Sequence, residues 1–132
     1  GYAYAGPLHA RAAYAWSVET SIYVKKSEKK SGIGKALYSA LEKVLAAQNI
    51  TNVNACIASP ETDDEYLNHN SIQFHQHLGY SMIGEFHKCA YKFGRWYNMI
   101  WMEKMIGEHP ENPEAFIPFS EMDVREIFEL IL

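Results

Sequence analysis

Cysteine, net charge and long apolar runs are all scarce in this chain, and each shortage argues against a class of function. There are 2 cysteines in 132 residues. With no secretory signal read ahead of them, reduced thiols in a cytoplasmic protein are the simpler reading. A formal net charge of -4 argues against general binding to nucleic acid or to a membrane surface, which needs a basic face. No apolar run approaches the length of a membrane span. Metal chemistry is short of ligands: His69, His75 and His77 have no acidic or thiolate partner at ligand spacing. Asn49-Ile50-Thr51 has the form of a glycosylation sequon, which carries no weight without a secretory route.

What is present reads as one soluble domain of ordinary composition, 48% hydrophobic and 21% charged. Gly1 to Gly6 reads as a strand already under way, closed by Gly6-Pro7. Aromatic and β-branched residues predict a longer strand over Trp16–Val24. From Gly34 to Asn49, Leu37, Ala40, Leu41, Val44 and Leu45 recur at helical steps. A short strand follows over Val53–Ile57, then an acidic loop from Glu61 to Glu65, and a helix from Ser71 to Leu78 that stops at Gly79. Two more strands are expected over Tyr80–Ala90 and Trp96–Met105, turning at Phe93-Gly94-Arg95. The stretch from Gly107 to Pro118 has no periodicity, and Ser120 with Asp123 resembles a helix cap.

One stretch stands out in a chain of negative net charge: lysines at 25, 26, 29, 30 and 35 surround Ser31-Gly32-Ile33-Gly34, directly before the first helix. Glycines there let backbone approach a ligand and expose amides, and the helix dipole adds positive potential, so the arrangement suits phosphate. It is no nucleotide-triphosphatase loop, since no Gly-Lys-Ser/Thr ends it, and no dinucleotide fingerprint, since a third glycine is absent. By itself the spacing also fits a helix start with a solvated lysine face.

Context adds more. A strand, a basic loop ending Lys29-Lys30-Ser31-Gly32-Ile33-Gly34, a helix, a strand, and a second helix ending Leu78-Gly79-Tyr80 resemble the GNAT superfamily of acetyl-CoA-dependent N-acetyltransferases. Lys29 stands where that family's Gln/Arg-x-x-Gly-x-Gly/Ala loop has Gln or Arg, keeping charge but losing a planar fork. Tyr4-Ala5-Gly6-Pro7, Ala10-Arg11, Trp16, Glu19, Tyr23-Val24, Asn68-His69-Asn70-Ser71 and Tyr91 to Trp96 are similar to the branch that acetylates phosphinothricin and methionine sulfoximine. The resemblance implies an α/β (α+β) fold, a mixed, mostly antiparallel central sheet with flanking helices. It places a GNAT domain at 1–107 and a tail with a short helix at 108–132, and implies that family members carry N-terminal strands and helices ahead of where this sequence starts.

For chemistry the resemblance implies direct acetyl transfer from acetyl-CoA to the primary amine of a small amino-acid-like acceptor, with no metal and no covalent enzyme intermediate. An ammonium must first lose a proton, and Glu19 and His75 are the candidate bases; a solvated strand carboxylate and a core histidine are the plainer alternatives. Tyr38 matches the position of a proton donor to the leaving thiolate, and it also fits simple packing beside Leu37 and Leu41. Amides near Tyr23 and Val24 would polarise the thioester carbonyl. Tyr23, Val24, Lys29, Lys30, Ser31, Gly32, Ile33, Gly34, Lys35 and Asn68 form the implied cofactor set, with coenzyme A between the Trp16–Val24 and Val53–Ile57 strands. Arg11, Tyr14 and Trp96 are the implied acceptor contacts, a guanidinium suiting a carboxylate or phosphinate.

Two departures bear on the acceptor: Asn98 replaces the branch's Asp, and His9 replaces a basic residue. Acetylation of a polyamine or a peptide N-terminus, or a non-catalytic acyl-CoA-binding fragment, stays open beside the main reading. A homodimer is expected, because the run Phe93, Trp96, Tyr97, Met99, Ile100, Trp101, Met102 and Met105 exceeds what one sheet face can bury. The loop gives the first test. Gly34→Val should abolish acetyl-CoA binding in calorimetry while the fold survives, and unchanged affinity would reduce the loop to an ordinary helix start.

Overall fold

The computed structural model describes residues 1–28, 31–60 and 70–132, which fall into two compact units: residues 1–53 with 105–132, and residues 54–104. The acidic loop expected after Pro60 lies outside the described residues.

In the first unit β1 (Tyr2–Pro7) and β2 (Ser17–Tyr23) pair antiparallel, with Tyr2 opposite Tyr23 and Gly6 opposite Glu19. Alternation then divides the hairpin into two faces. Val18 and Thr20 are buried on one, with Ala3 and Ala5 beside them; small residues let a helix approach. That helix is α1 (Ile33–Ala47), which packs on both strands. Tyr38 lies inside, 1% exposed, its hydroxyl hydrogen-bonded to the side chain of Thr20. The other face carries Glu19, Ser21 and Tyr23 beside Tyr2 and Tyr4. The chain leaves α1 through Asn49, whose φ of 70° is a conformation that Asn tolerates better than most residues. Near the end, α3 (Val124–Ile131) packs on α1 and buries Ile127. Its N-cap is Asp123, whose carboxylate accepts from the Arg125 N–H at 2.9 Å. The cap is therefore Asp123 itself; Ser120 lies in a separate short turn over Phe119–Glu121.

The second unit holds most of β3 (Asn52–Ser59), with α2 (Asn70–His77), β4 (Ser81–Lys92) and β5 (Arg95–Met105). Its strands lie in the order β3-β5-β4. β4 and β5 form a hairpin around Phe93 and Gly94, whose φ values of 54° and 73° suit the two-residue turn that matches strand twist. Arg95 is thus the first residue of β5 rather than part of the turn. Tyr97, Ile100 and Met102 are buried, whereas β4 exposes Met82, Ile83, Phe86 and Tyr91. β5 itself exposes Trp96 and Met105, and β4 adds a further exposed apolar set, because among the described residues β4 has a strand partner on one side only.

His75 belongs to this second core. It is 2% exposed, and its ring meets Phe74 and Tyr80 edge-on at 5.3 and 5.1 Å. Nδ1 lies 2.6 Å from the Ser71 carbonyl; a carbonyl only accepts, so Nδ1 carries the proton. Burial lowers the His75 pKa, partly opposed by the Ser71 carbonyl. The unfolded chain therefore takes up a proton near pH 6.5 that the folded chain refuses, and stability present above that pH is lost as pH falls below it. The urea midpoint should be lower at pH 5 than at pH 7.5, and His75→Phe should flatten that difference. An equal pH dependence in the variant would assign the acid sensitivity to other groups.

Candidate active site

Glycine decides how α1 begins. Gly32 is its N-cap, at φ 85°, a left-handed conformation that costs an L side chain roughly 1 kcal/mol or more. The first helical hydrogen bond runs from the Ala36 N–H to the Gly32 carbonyl at 3.0 Å. The amides of Ile33, Gly34 and Lys35 precede the helical ladder, as in the first turn of any α-helix. Ser31 is anchored outside the helix by its hydroxyl, which donates to the Glu28 carbonyl. Nothing lies within 4 Å of where a Gly32 side chain would start, so the backbone is open to an approaching ligand. These groups suit a pyrophosphate. Lys29, Lys30 and Asn68, the other expected cofactor contacts, lie outside the described residues.

At the far end of the preceding strand the tyrosine face gathers around a carboxylate. Tyr23 is the last residue of β2 and stacks on Tyr2 at 5.6 Å, which in turn stacks on Tyr4 at 6.3 Å. All three rings are exposed. Glu19, two pleats back on the same face, is half-buried and makes no hydrogen bond or ion pair among the described residues. Glu19 and Tyr23 stand four positions apart along β2, about 13 Å. Tyr2 and Tyr4 were not singled out from the sequence. The alternation Tyr2-x-Tyr4, antiparallel to Glu19-x-Ser21-x-Tyr23, is the signal that would have found them once the register was known.

Tyr38 lies on the opposite face of the hairpin. Its pKa is raised to about 12, first by burial, with the Thr20 hydrogen bond pulling down and the charge of Glu42 pushing up. It is therefore protonated at every physiological pH and does not act as a base. His75 and Trp96 belong to the second unit. Trp96 is exposed and lies against Tyr91, ring centroids 5.1 Å apart.

Arg11 and Tyr14 come together in the connection between β1 and β2. Tyr14 sits in a short 3-10 turn over Ala12–Tyr14, and its ring meets that of His9 at 5.0 Å. His9 Nδ1 accepts the Arg11 N–H at 3.4 Å, so the residue that replaces a basic one orders the loop. Both Arg11 and Tyr14 line a groove of about 310 Å³ whose floor includes Val18, Leu45 and Ile50, with Phe116 from the tail as a wall. The Arg11 guanidinium has no acidic partner among the described residues.

Asn98 also has a structural role. Phe86 pairs with Met99 and Ala90 with Tyr97, so residues 87–89 of β4 face the single residue Asn98, a bulge. The Asn98 Oδ1 accepts the N–H of Lys88, which has φ 49°, at 2.8 Å, and its Nδ2 donates to Glu85 Oε1 at 3.1 Å. An Asp could accept the first bond but would set a second carboxylate against Glu85.

Comparison with known proteins agrees with this geometry. Residues 1–101 match the family model for the acetyltransferase (GNAT) domain. Phosphinothricin N-acetyltransferase of Streptomyces viridochromogenes is 34% identical over 122 residues, 92% of this chain and 62% of that protein. L-methionine sulfoximine/L-methionine sulfone acetyltransferase of Pseudomonas paraeruginosa is 31% identical over 103 residues, 78% of this chain and 56% of the relative. Among solved structures, a phosphinothricin acetyltransferase from Sinorhizobium meliloti in complex with AcCoA superposes with a TM-score of 0.73 at 32% identity, covering 85% of this chain and 57% of the other. The chain thus spans about three fifths of the length of these relatives. Its five mostly antiparallel strands and three helices, a glycine-capped α1 and the match over residues 1–101 establish that the chain belongs to the GNAT acetyltransferase family.

Proposed function

We propose that the protein transfers acetyl directly from acetyl-CoA to the primary amine of a small amino-acid-like acceptor, of the phosphinothricin or methionine sulfoximine kind. The observation that carries this is the unpaired Glu19 carboxylate on an open face of tyrosines, on the strand that leads to the glycine-capped start of α1. Glu19 takes the proton from the acceptor ammonium through a chain of waters, and leaves a neutral nitrogen to attack the thioester. Tyr2, Tyr4 and Tyr23 offer ring faces that attract a cation before it is deprotonated. The amides of Ile33, Gly34 and Lys35 hold the pyrophosphate. Those near Tyr23 and Val24 polarise the thioester carbonyl. Arg11 binds the acceptor's acidic group, with Tyr14 as a further acceptor contact; Trp96, the third contact the resemblance implies, belongs to the second unit. Tyr38, the expected donor to a departing thiolate, would reach one only by leaving its enclosed hydrogen bond with Thr20. His75 is read as a core residue that orients α2, because its ring is enclosed and its Nδ1 is committed to Ser71. Cytoplasmic localisation belongs to the same proposal, supported by Cys56 and Cys89, neither of which is in a disulfide.

The test is release of free thiol from acetyl-CoA with phosphinothricin, methionine sulfoximine and spermidine as competing acceptors. The first two should be used and spermidine should not; preference for spermidine would move the reading to polyamines. Glu19→Gln keeps the shape and removes the charge, so kcat should fall by on the order of 10²-fold with acetyl-CoA affinity intact. Wild-type turnover in that variant would remove Glu19 from the mechanism.

We further propose a homodimer. The support is the exposed apolar surface of β4, with Met82, Ile83 and Phe86 each more than half exposed, a pattern that calls for a partner. Light scattering at micromolar concentration should give twice the 15.1 kDa chain mass. A strictly monomeric species would refute it.

A further inference from the structure

The tail's path contains a set of bonds that the acetyl-transfer reading leaves unused. Three side chains from separate parts of the first unit donate to the backbone of one short stretch. The Trp16 indole N–H donates to the Glu114 carbonyl at 2.8 Å, and Asn49 Nδ2 donates to the Ala115 carbonyl at 2.8 Å. Gln48 binds Ile117 twice: its Nε2 donates to the Ile117 carbonyl, and its own carbonyl accepts the Ile117 N–H, both at 3.1 Å. Between these anchors Phe116 lines the groove shared with Arg11 and Tyr14.

The loop that carries Arg11 and Tyr14 is otherwise tied mainly to itself. Tyr14 N–H bonds to the Arg11 carbonyl at 3.0 Å, Ala15 N–H to the Ala12 carbonyl at 3.1 Å, and Arg11 N–H to His9. At one end Leu8 N–H meets the Ser17 carbonyl at 3.2 Å; at the other Trp16 is the tether, its carbonyl accepting from Thr51 and Asn52 at 3.0 and 3.2 Å. Removing the indole bond leaves the loop's exit held through the Trp16 carbonyl, by the Thr51 and Asn52 amides and the Thr51 hydroxyl, and separates it from the tail.

We propose that residues 114–117 form a clamp that positions the 8–16 connection for acceptor binding, with Trp16 as the positioning residue. This rests on the reading that Arg11 and Tyr14 meet the acceptor. Trp16 itself touches no substrate; it acts by fixing where Arg11 stands relative to the groove and its Phe116 wall.

Trp16→Phe keeps an aromatic ring and deletes only the donor. In the protein carrying this chain, the acceptor KM should rise about tenfold, the size expected for one lost hydrogen bond, with kcat and acetyl-CoA affinity unchanged. Hydrogen exchange at the Tyr14 and Ala15 amides should accelerate by a similar factor, while that at Leu41 and Leu45 inside α1 stays as in the wild type. Unchanged exchange at Tyr14 and Ala15 would overturn the clamp. Faster exchange with an unchanged acceptor KM, or an equal loss of acetyl-CoA affinity, would overturn its link to the acceptor. If the wild-type protein acetylates no amino-acid-like amine, the functional reading falls, and exchange at the two loop amides still decides the clamp.

Discussion

The hydrogen bond between Tyr38 and Thr20, sealed at 1% exposure, fixes the first unit. It joins α1 to β2 where neither polar group can turn to water, so breaking it would leave a buried hydroxyl unsatisfied at a cost of roughly 1–3 kcal/mol. Because α1 packs against the hairpin, this one contact also sets both ends of the helix. At its start stands Gly32, whose left-handed backbone turns the first amides outward; at its end stand Gln48 and Asn49, which hold the tail. An α1 shifted by one turn, about 5 Å, would misplace the amides at one end and the clamp at the other.

Unusual backbone gathers where the chain changes direction. Gly32, Asn49, Gly79, Phe93 and Gly94 all have positive φ and all terminate or start an element. Lys88 differs, since it lies within β4, and its conformation holds because Asn98 receives its N–H. Asn98 is the one side chain there able both to accept from Lys88 and to donate to Glu85. The departure from the branch's Asp thus has a local cause in the bulge, independent of any acceptor.

Much of the fold was legible because period decides it. Leu37, Leu41, Val44 and Leu45 declare α1, alternation declares the strands, and Gly79 declares the end of α2. Of the candidate site, the glycine-capped helix start was legible from its motif, while Glu19 is a candidate that the resemblance alone names. The clamp was not, because its bonds join residues 98, 66 and 69 positions apart through side chains whose types occur equally in unconstrained loops. Along β5, about half of the aromatic and methionine run was expected to lack cover; Tyr97, Ile100 and Met102 are buried while Phe93, Trp96 and Met105 are each more than half exposed, as alternation allows.

The two faces of the β1–β2 hairpin show how one periodicity serves two purposes. Positions 18 and 20 carry packing, and a polar residue is tolerated at 20 because it is matched by Tyr38. Positions 19, 21 and 23 carry groups whose free energy in the folded chain depends on solvent or on a ligand. A carboxylate buried on the first face would be neutralised or would destabilise the core. On the second face Glu19 is half-buried with no hydrogen-bond or ion-pair partner among the described residues, as the proposed base role requires. The stacked tyrosines beside it are exposed for the same reason: rings that satisfied the core of this unit could not also present their faces to a cation. Placing Glu19 one residue from Thr20 therefore separates a solvent-facing carboxylate from the packed face, so that substitutions on the tyrosine face leave intact the Tyr38–Thr20 contact that keeps α1 in place.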